Sequence, residues 1–164
     1  MSYSIQPLTT KDREAVISLY NYYVENSFAA YPEKKVPNLA FDSYMLGAQA
    51  LFAAVAKDEK GLVAGFGTAR IFNPIPVFHR TVELVYYVSP EHMRKGVGTM
   101  LLEYLVGEAG KKKIATFIAG MTSMNEIAIH FHEKNGFTQC GKFEKLGEKK
   151  GEVFDVVWMQ KIVQ

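Results

Sequence analysis

The sequence predicts an α/β fold, a mixed sheet with helices on both faces. Three observations carry this. Strand-like and helix-like runs follow one another in the order β-α-β-β-β-α-β-α-β-β, a pattern that a layered sheet with covering helices accommodates. The helical runs place apolar residues at helical spacing. The chain has 164 residues, the length of one domain with a sizeable core, so residues 1–164 are read as a single domain.

The elements follow in order. Ser4 to Leu8 reads as a short strand. Thr9 or Thr10 can cap a helix carrying Val16, Leu19, Tyr20 and Tyr23. Ser27 to Phe41 is irregular and holds Pro32 and Pro37. Ala50 to Ala56 and Leu62 to Arg70 read as a hairpin joined by the polar turn Lys57 to Gly61. Asn73 to Pro76 is a loop, and Val82 to Val88, rich in β-formers, is a strand that ends at Pro90. Leu101, Leu102, Leu105, Val106 and Ala109 mark a second helix, which Gly110 stops. Lys111 to Lys113 suit its negative end. Ile114 to Ala119 is a strand. Ser123 and Glu126 have capping-box spacing and open a short helix closed by Gly136. Phe137 to Lys142 and Val153 to Gln160 are the last strands.

Composition narrows the class. Hydrophobic residues make up 48% and charged ones 22%, as in an ordinary globular protein. The net charge of +2 is too small to argue for nucleic acid or an anionic membrane. The N-terminal stretch MSYSIQPLTT has neither the charged nor the apolar region of a secretion signal, and no apolar run is long enough for a membrane span. A single cysteine, Cys140, allows no intramolecular disulfide and reads as a buried spectator. The expected setting is the reducing cytoplasm. The four histidines lack metal-ligand spacing, so no metal is expected.

The stretch SPEHMRKGVGTML, starting at Ser89, holds the densest chemistry. The strand ends near Val88 and the helix begins near Gly96 to Gly98. The first N–H groups of a helix lack backbone partners and attract anions. Gly96 and Gly98 present no Cβ to an approaching phosphate, and Arg94 and Lys95 add charge. The alternative is a strand–helix turn whose glycines serve geometry alone. A dinucleotide fingerprint would need glycine where Leu101 stands, and the Gly-Lys-Ser/Thr of a P-loop is missing.

MRKGVGTMLL after VYYVSPEH resembles the acetyl-CoA signature of the GCN5-related N-acetyltransferases, Arg/Gln-x-x-Gly-x-Gly/Ala, with Met93 in place of the first residue. NEIAIHFHEKNGF is similar to a second block of that family, matching at Asn125, Ala128, Glu133, Lys134, Gly136 and Phe137. LYNYYVENSFAAYPE, RTVELVYYVSPEH and GEKKGEVFDVVWMQK resemble the phosphinothricin acetyltransferase-like branch, with Val153 where that branch has tryptophan. The resemblance implies a mixed, mostly antiparallel sheet of about six to seven strands, acetyl-CoA as co-substrate, and a homodimer. It assigns Tyr86, Tyr87 and Val88 to the acetyl and pantetheine end by their backbone. It assigns Arg94, Lys95, Gly96, Val97, Gly98 and Thr99 to the pyrophosphate, and Asn125 to the pantetheine arm.

Acetyl transfer to an amine needs a base, help for the leaving thiolate, and an N–H near the oxyanion. Glu83 is the base candidate. A carboxylate in the apolar run Val82 to Val88 is costly unless it is functional, solvated, or paired, for instance with Arg80. The resemblance places the branch's base here. His132 is the donor candidate, where many relatives have tyrosine and this branch has histidine; it either protonates sulfur or orients water. His130 points elsewhere on the helix, either to the surface or near the CoA. Phe28, Tyr31, Phe72, Asn73 and Phe78 are candidates for the acceptor pocket, against the commoner role of aromatic residues in cores.

The expected activity is direct acetyl transfer, in a ternary complex, to the primary amine of a small molecule such as an amino acid or analogue. The alternatives are a protein N-terminus or polyamine as acceptor, or a non-catalytic acetyl-CoA-binding protein. An acidic pocket would favour a polyamine, and a cation near the loop at Asn73 a carboxylate-bearing acceptor.

Overall fold

The computed structural model describes residues 2–47 and 50–163. Seven strands form one sheet: β1 (Ser4–Pro7), β2 (Ala50–Lys57), β3 (Val63–Ile71), β4 (Thr81–Val88), β5 (Thr116–Thr122), β6 (Thr138–Lys149) and β7 (Glu152–Ile162). Their order across the sheet is β1-β2-β3-β4-β5-β7-β6. Every neighbouring pair is antiparallel except β4 and β5. Among the described residues, four α-helices accompany them: α1 (Arg13–Asn26), α2 (Ala40–Tyr44), α3 (Val97–Gly110) and α4 (Glu126–Lys134).

The helices cover both faces because each has one apolar stripe. α1 buries Val16, Ile17, Tyr20, Tyr23 and Val24 with Phe41, Val55 and Phe66 in one core. α3 buries Val97, Leu101, Leu102, Leu105 and Ala109 against Ala54, Leu84, Phe117 and Met159 in the other, where Ala128, Ile129 and Phe131 of α4 join. An ion pair ties the start of α1 to the sheet: Lys57 Nζ lies 2.7 Å from Asp12 Oδ1, a carboxylate that also accepts from Thr9 N and Oγ1.

Several boundaries differ from the sequence reading. A 3-10 turn at Thr10–Asp12 precedes α1, and α2 begins inside the stretch read as irregular. The cap of α4 is Asn125, whose Oδ1 accepts from Ala128 N at 3.1 Å, and not Ser123. β6 runs to Lys149, seven residues past its expected end, because β7 continues to pair with it through an interrupted register. The two strands meet at Lys150 and Gly151, both at positive φ (52° and 77°), as a type I′ hairpin turn requires. Cys140 is exposed on β6, whose first residues carry no covering layer, and its Sγ points to Trp158 O at 3.4 Å.

The feature that positions a site is the join between β4 and β5. Their parallel ladder holds only Thr81↔Thr116, Val82↔Phe117 and Glu83↔Ile118. Past Glu83, β4 stays with β3 while β5 stays with β7. The sheet therefore opens beyond Glu83, and each strand turns a backbone edge without a ladder partner toward the opening.

Candidate active site

The loop from β4 to α3 closes one side of the opening. Arg94 has φ 59° and Gly96 φ 85°, both left-handed. At Gly96 a Cβ would meet no atom within 4 Å, so glycine is required there by backbone conformation and not by crowding. The first bond of the helix runs from Met100 N to Gly96 O at 3.0 Å. The N–H groups of Val97, Gly98 and Thr99 thus lead α3 with no preceding turn to accept them, the arrangement that suits a pyrophosphate. Gly98 has a second reason to be glycine: a Cβ there would lie 3.2 Å from the ring of Phe131, so its absence lets α4 pack on α3. Lys95 Nζ folds back onto Glu91 O at 2.7 Å, and Arg94 is exposed. An acetyl-CoA phosphate would therefore meet chiefly backbone, with Arg94 as the outward charge.

Alternation along β4 sorts its side chains. Leu84 and Tyr86 belong to the core under α3 and α4, while Tyr87 packs with the α1 core. Glu83, at odd register with Tyr87, shares the α1 face. Its Oε1 lies 3.3 Å from Arg70 Nη2, across the β3–β4 register pair Arg70↔Glu83. The partner is thus Arg70 and not Arg80, whose carbonyl instead accepts from Ala115 N and Thr116 N. The Glu83 side chain remains 25% exposed.

His132 lies on the opposite face and is only 4% exposed. Its Nδ1 is 2.6 Å from Ala128 O, and its Nε2 is hydrogen-bonded to the Tyr86 hydroxyl. A carbonyl only accepts, so Nδ1 carries the ring proton. Burial holds the imidazole below the ordinary histidine range, against the opposing effect of the Ala128 bond, so the ring is neutral. Nε2 is then unprotonated and accepts from Tyr86 O–H. Burial raises the Tyr86 phenol far above its ordinary value, so that proton is retained. The two rings stack at 5.4 Å, and Phe137 closes on His132 edge-on at 4.9 Å. Glu83 and His132 are therefore not in contact. They flank the opening from opposite faces.

The remaining candidates divide. Phe28 and Tyr31 pack on Phe154 of β7, with centroids 6.1 and 5.8 Å apart. Partial burial, with the charge of Glu83 adding to it, raises the Tyr31 phenol. Phe72 and Phe78 pair with each other on the β3–β4 loop, and Asn73 Oδ1 accepts from Ile75 N within it. His130 is exposed on α4, 3.7 Å from Glu133. Asn125 has its amide nitrogen free of the cap bond for a ligand, while its oxygen accepts from Ala128 N as the helix cap. Among the described residues, no group of three or more His, Cys, Asp or Glu is placed to hold a metal ion. No described helix is long and apolar enough to cross a membrane.

Three groups at the site escaped sequence reading. Arg70 joins Glu83 only through strand register. The Tyr86 side chain joins His132 across 46 residues of sequence. Trp158 covers Gly120 on β5, with its indole carbons 3.0 Å from where a Cβ would stand, and its buried Nε1 has no hydrogen-bond partner.

An opened sheet, a helix N-terminus beside it and a carboxylate at the fork define an acyl-transfer site for a phosphate-bearing donor. Residues 16–137 match the acetyltransferase (GNAT) family, and the chain belongs to it. A methionine sulfoximine/methionine sulfone acetyltransferase of Pseudomonas aeruginosa is 31% identical over 98% of this chain and 94% of its own length. A phosphinothricin acetyltransferase of Sinorhizobium meliloti, solved in complex with acetyl-CoA, superposes with a TM-score of 0.88 at 28% identity, covering 99% of this chain and 89% of that one. A ribosomal-protein-alanine N-acetyltransferase from Brucella melitensis superposes at 0.89 and 31% identity, covering 98% and 99%.

Proposed function

We propose that this protein, as one domain over residues 1–164, transfers acetyl from acetyl-CoA to the primary amine of a small carboxylate-bearing molecule, an amino acid or analogue. The observation that carries the acceptor class is Arg70. It supplies a guanidinium, already paired with Glu83 through Nη2 and 29% exposed, three residues before Asn73. A cation at that point matches an acceptor carboxylate. The sulfoximine and phosphinothricin relatives, by their names, act on molecules of this kind.

In this reading the donor lies in the opening between β4 and β5. Backbone groups of Tyr86, Tyr87 and Val88 meet its acyl end, and the N–H groups leading α3 meet its pyrophosphate. Glu83 takes a proton from the amine, directly or through water, on the α1 face. On the other face the Tyr86 hydroxyl, hydrogen-bonded to His132, is the O–H that turns from Nε2 to donate a hydrogen bond to the departing sulfur. The protein works in the cytoplasm, the setting its single cysteine suggests, and as a homodimer, which rests on the resemblance to the branch.

A screen of free CoA release tests the acceptor. The panel is amino acids, methionine sulfoximine, phosphinothricin, their decarboxylated amines, spermidine, and a peptide beginning with alanine. Turnover with an amino acid or analogue and little with its decarboxylated amine is expected. Equal turnover of the amine lacking the carboxylate overturns the acceptor class. Preference for the peptide would overturn the acceptor class in favour of protein N-terminal acetylation, the activity named for the Brucella melitensis protein.

A further inference from the structure

Lys149 is a lysine at the end of a charged strand, yet it is 1% exposed. Its Nζ donates to three backbone carbonyls: Val24 O at 2.7 Å, Ser27 O at 2.8 Å and Ala30 O at 2.7 Å. Three acceptors require three N–H donors, so the protonated ammonium is the species that fits. No side-chain carboxylate is among these three contacts. The negative end of α1 supplies the compensation instead, since Val24 lies in its last turn and Ser27 is its C-terminal cap. Burial lowers the affinity of this amine for its proton, with neighbouring Lys150 adding to the effect and Glu33 opposing it.

The three carbonyls belong to the segment that turns out of α1 toward Phe28 and Tyr31. The same segment is held at other points. Tyr87 Oη donates to Ala29 O at 3.2 Å from the strand that carries Glu83. Lys150 N donates to Glu33 Oε1 at 2.9 Å. Tyr31 stacks on Phe154 with an interplanar angle of 15°. Residues 27–33 are thus gripped between the β6–β7 turn and β4, and a buried charge makes the grip. A charge so placed is costly to break, because removing it strands three carbonyls in the interior.

We infer that Lys149 is a positioning residue for the acceptor: it fixes the segment bearing Phe28 and Tyr31 against Glu83, and so sets acceptor affinity without touching the donor site. This rests on the acceptor reading given above. It accounts for a lysine where nothing about solubility or donor binding calls for one.

The test is Lys149→Met, which keeps the stem and removes the ammonium. The acceptor KM should rise about tenfold or more while the KM for acetyl-CoA changes by less than about twofold. Lys112→Ala, an exposed lysine past the end of α3, should leave both nearly unchanged. Trypsin at Lys34 and Lys35 reads the segment without any substrate. Wild type should resist cutting there, and Lys149→Met should be cut about tenfold faster or more. An unchanged acceptor KM, or a parallel rise in the KM for acetyl-CoA, overturns the inference. So does a wild type cut at Lys34 and Lys35 as fast as an unfolded peptide, an outcome that stands even if the variant does not fold. If no carboxylate-bearing amine is acetylated at all, the acceptor reading fails, while proteolysis still decides whether Lys149 holds the segment.

Discussion

Replacing Tyr86 by phenylalanine deletes one oxygen and leaves His132 Nε2, in a ring 4% exposed, without its donor. Leaving such a buried acceptor unpaired costs about 1–3 kcal/mol. At about 2–4 °C per kcal/mol for a chain of this size, the melting temperature should fall by about 2–12 °C. His132→Phe strands the Tyr86 hydroxyl by the same logic. The double variant removes both halves of the bond, so it should be more stable than the sum of the singles predicts, by about 1–2 kcal/mol. Thermal unfolding of the four proteins without ligand closes the cycle. Kinetics complete it: both single variants should lose about 10²–10⁴-fold in turnover, and the double little more, because the pair acts as one unit. Additive stabilities, with a coupling under about 0.3 kcal/mol, would refute the bond. Loss of turnover in His132→Phe but not in Tyr86→Phe would refute the role of the hydroxyl.

Glu83→Gln should lower turnover by about 10²–10⁴-fold with acetyl-CoA affinity nearly unchanged, and the loss should shrink as pH rises and more amine is already neutral; wild-type turnover at neutral pH removes Glu83 from the chemistry. Acetyl-CoA at about 100 times its dissociation constant should stabilise the protein by about 2.7 kcal/mol in a thermal-shift titration, and Gly96→Val, forcing a β-branched residue to φ 85°, should remove most of that shift. His132 has a folded-state pKa below its unfolded value, so its contribution to stability is complete above about pH 6.5 and is lost as pH falls through the lower folded value. The melting temperature should therefore decline on acidification from about pH 6.5, and His132→Phe should flatten that part of the curve.

What sequence could reach follows from the range of each interaction. The strand order along the chain, the two long helices and both covering faces were legible, α2 apart, because periodicity and glycine placement are local signals. Gly96 shows the limit. Sequence explains it by access for a phosphate, whereas the backbone demands it at φ 85° and Gly98 answers to Phe131 on another helix. The extent of β6 was illegible because its outer half is charged and exposed, and only pairing with β7 keeps it extended. Lys149 sits among Glu148, Lys150 and Glu152 and carries no local sign of burial. Its partners lie more than 100 residues earlier. Arg70 and Glu83 needed the β3–β4 register to become neighbours.

The geometry of β4 gives the site its division of labour. Successive residues of a strand point to opposite faces, so a base at position 83 and a hydroxyl at position 86 cannot share a face. In an intact sheet they would be separated by the backbone layer. Here the ladder to β5 stops at Glu83, so both faces open onto one gap within a few residues of strand. In the proposed reading the acceptor would be deprotonated from the side of α1 and the leaving sulfur met from the side of α4, with the acyl group along the edge between them. The arrangement depends on parity: one residue inserted into β4 between Glu83 and Tyr86 would send the carboxylate and the hydroxyl to the same face. It would separate Tyr86 from His132 or Glu83 from Arg70, depending on which half of the register with β3 survived.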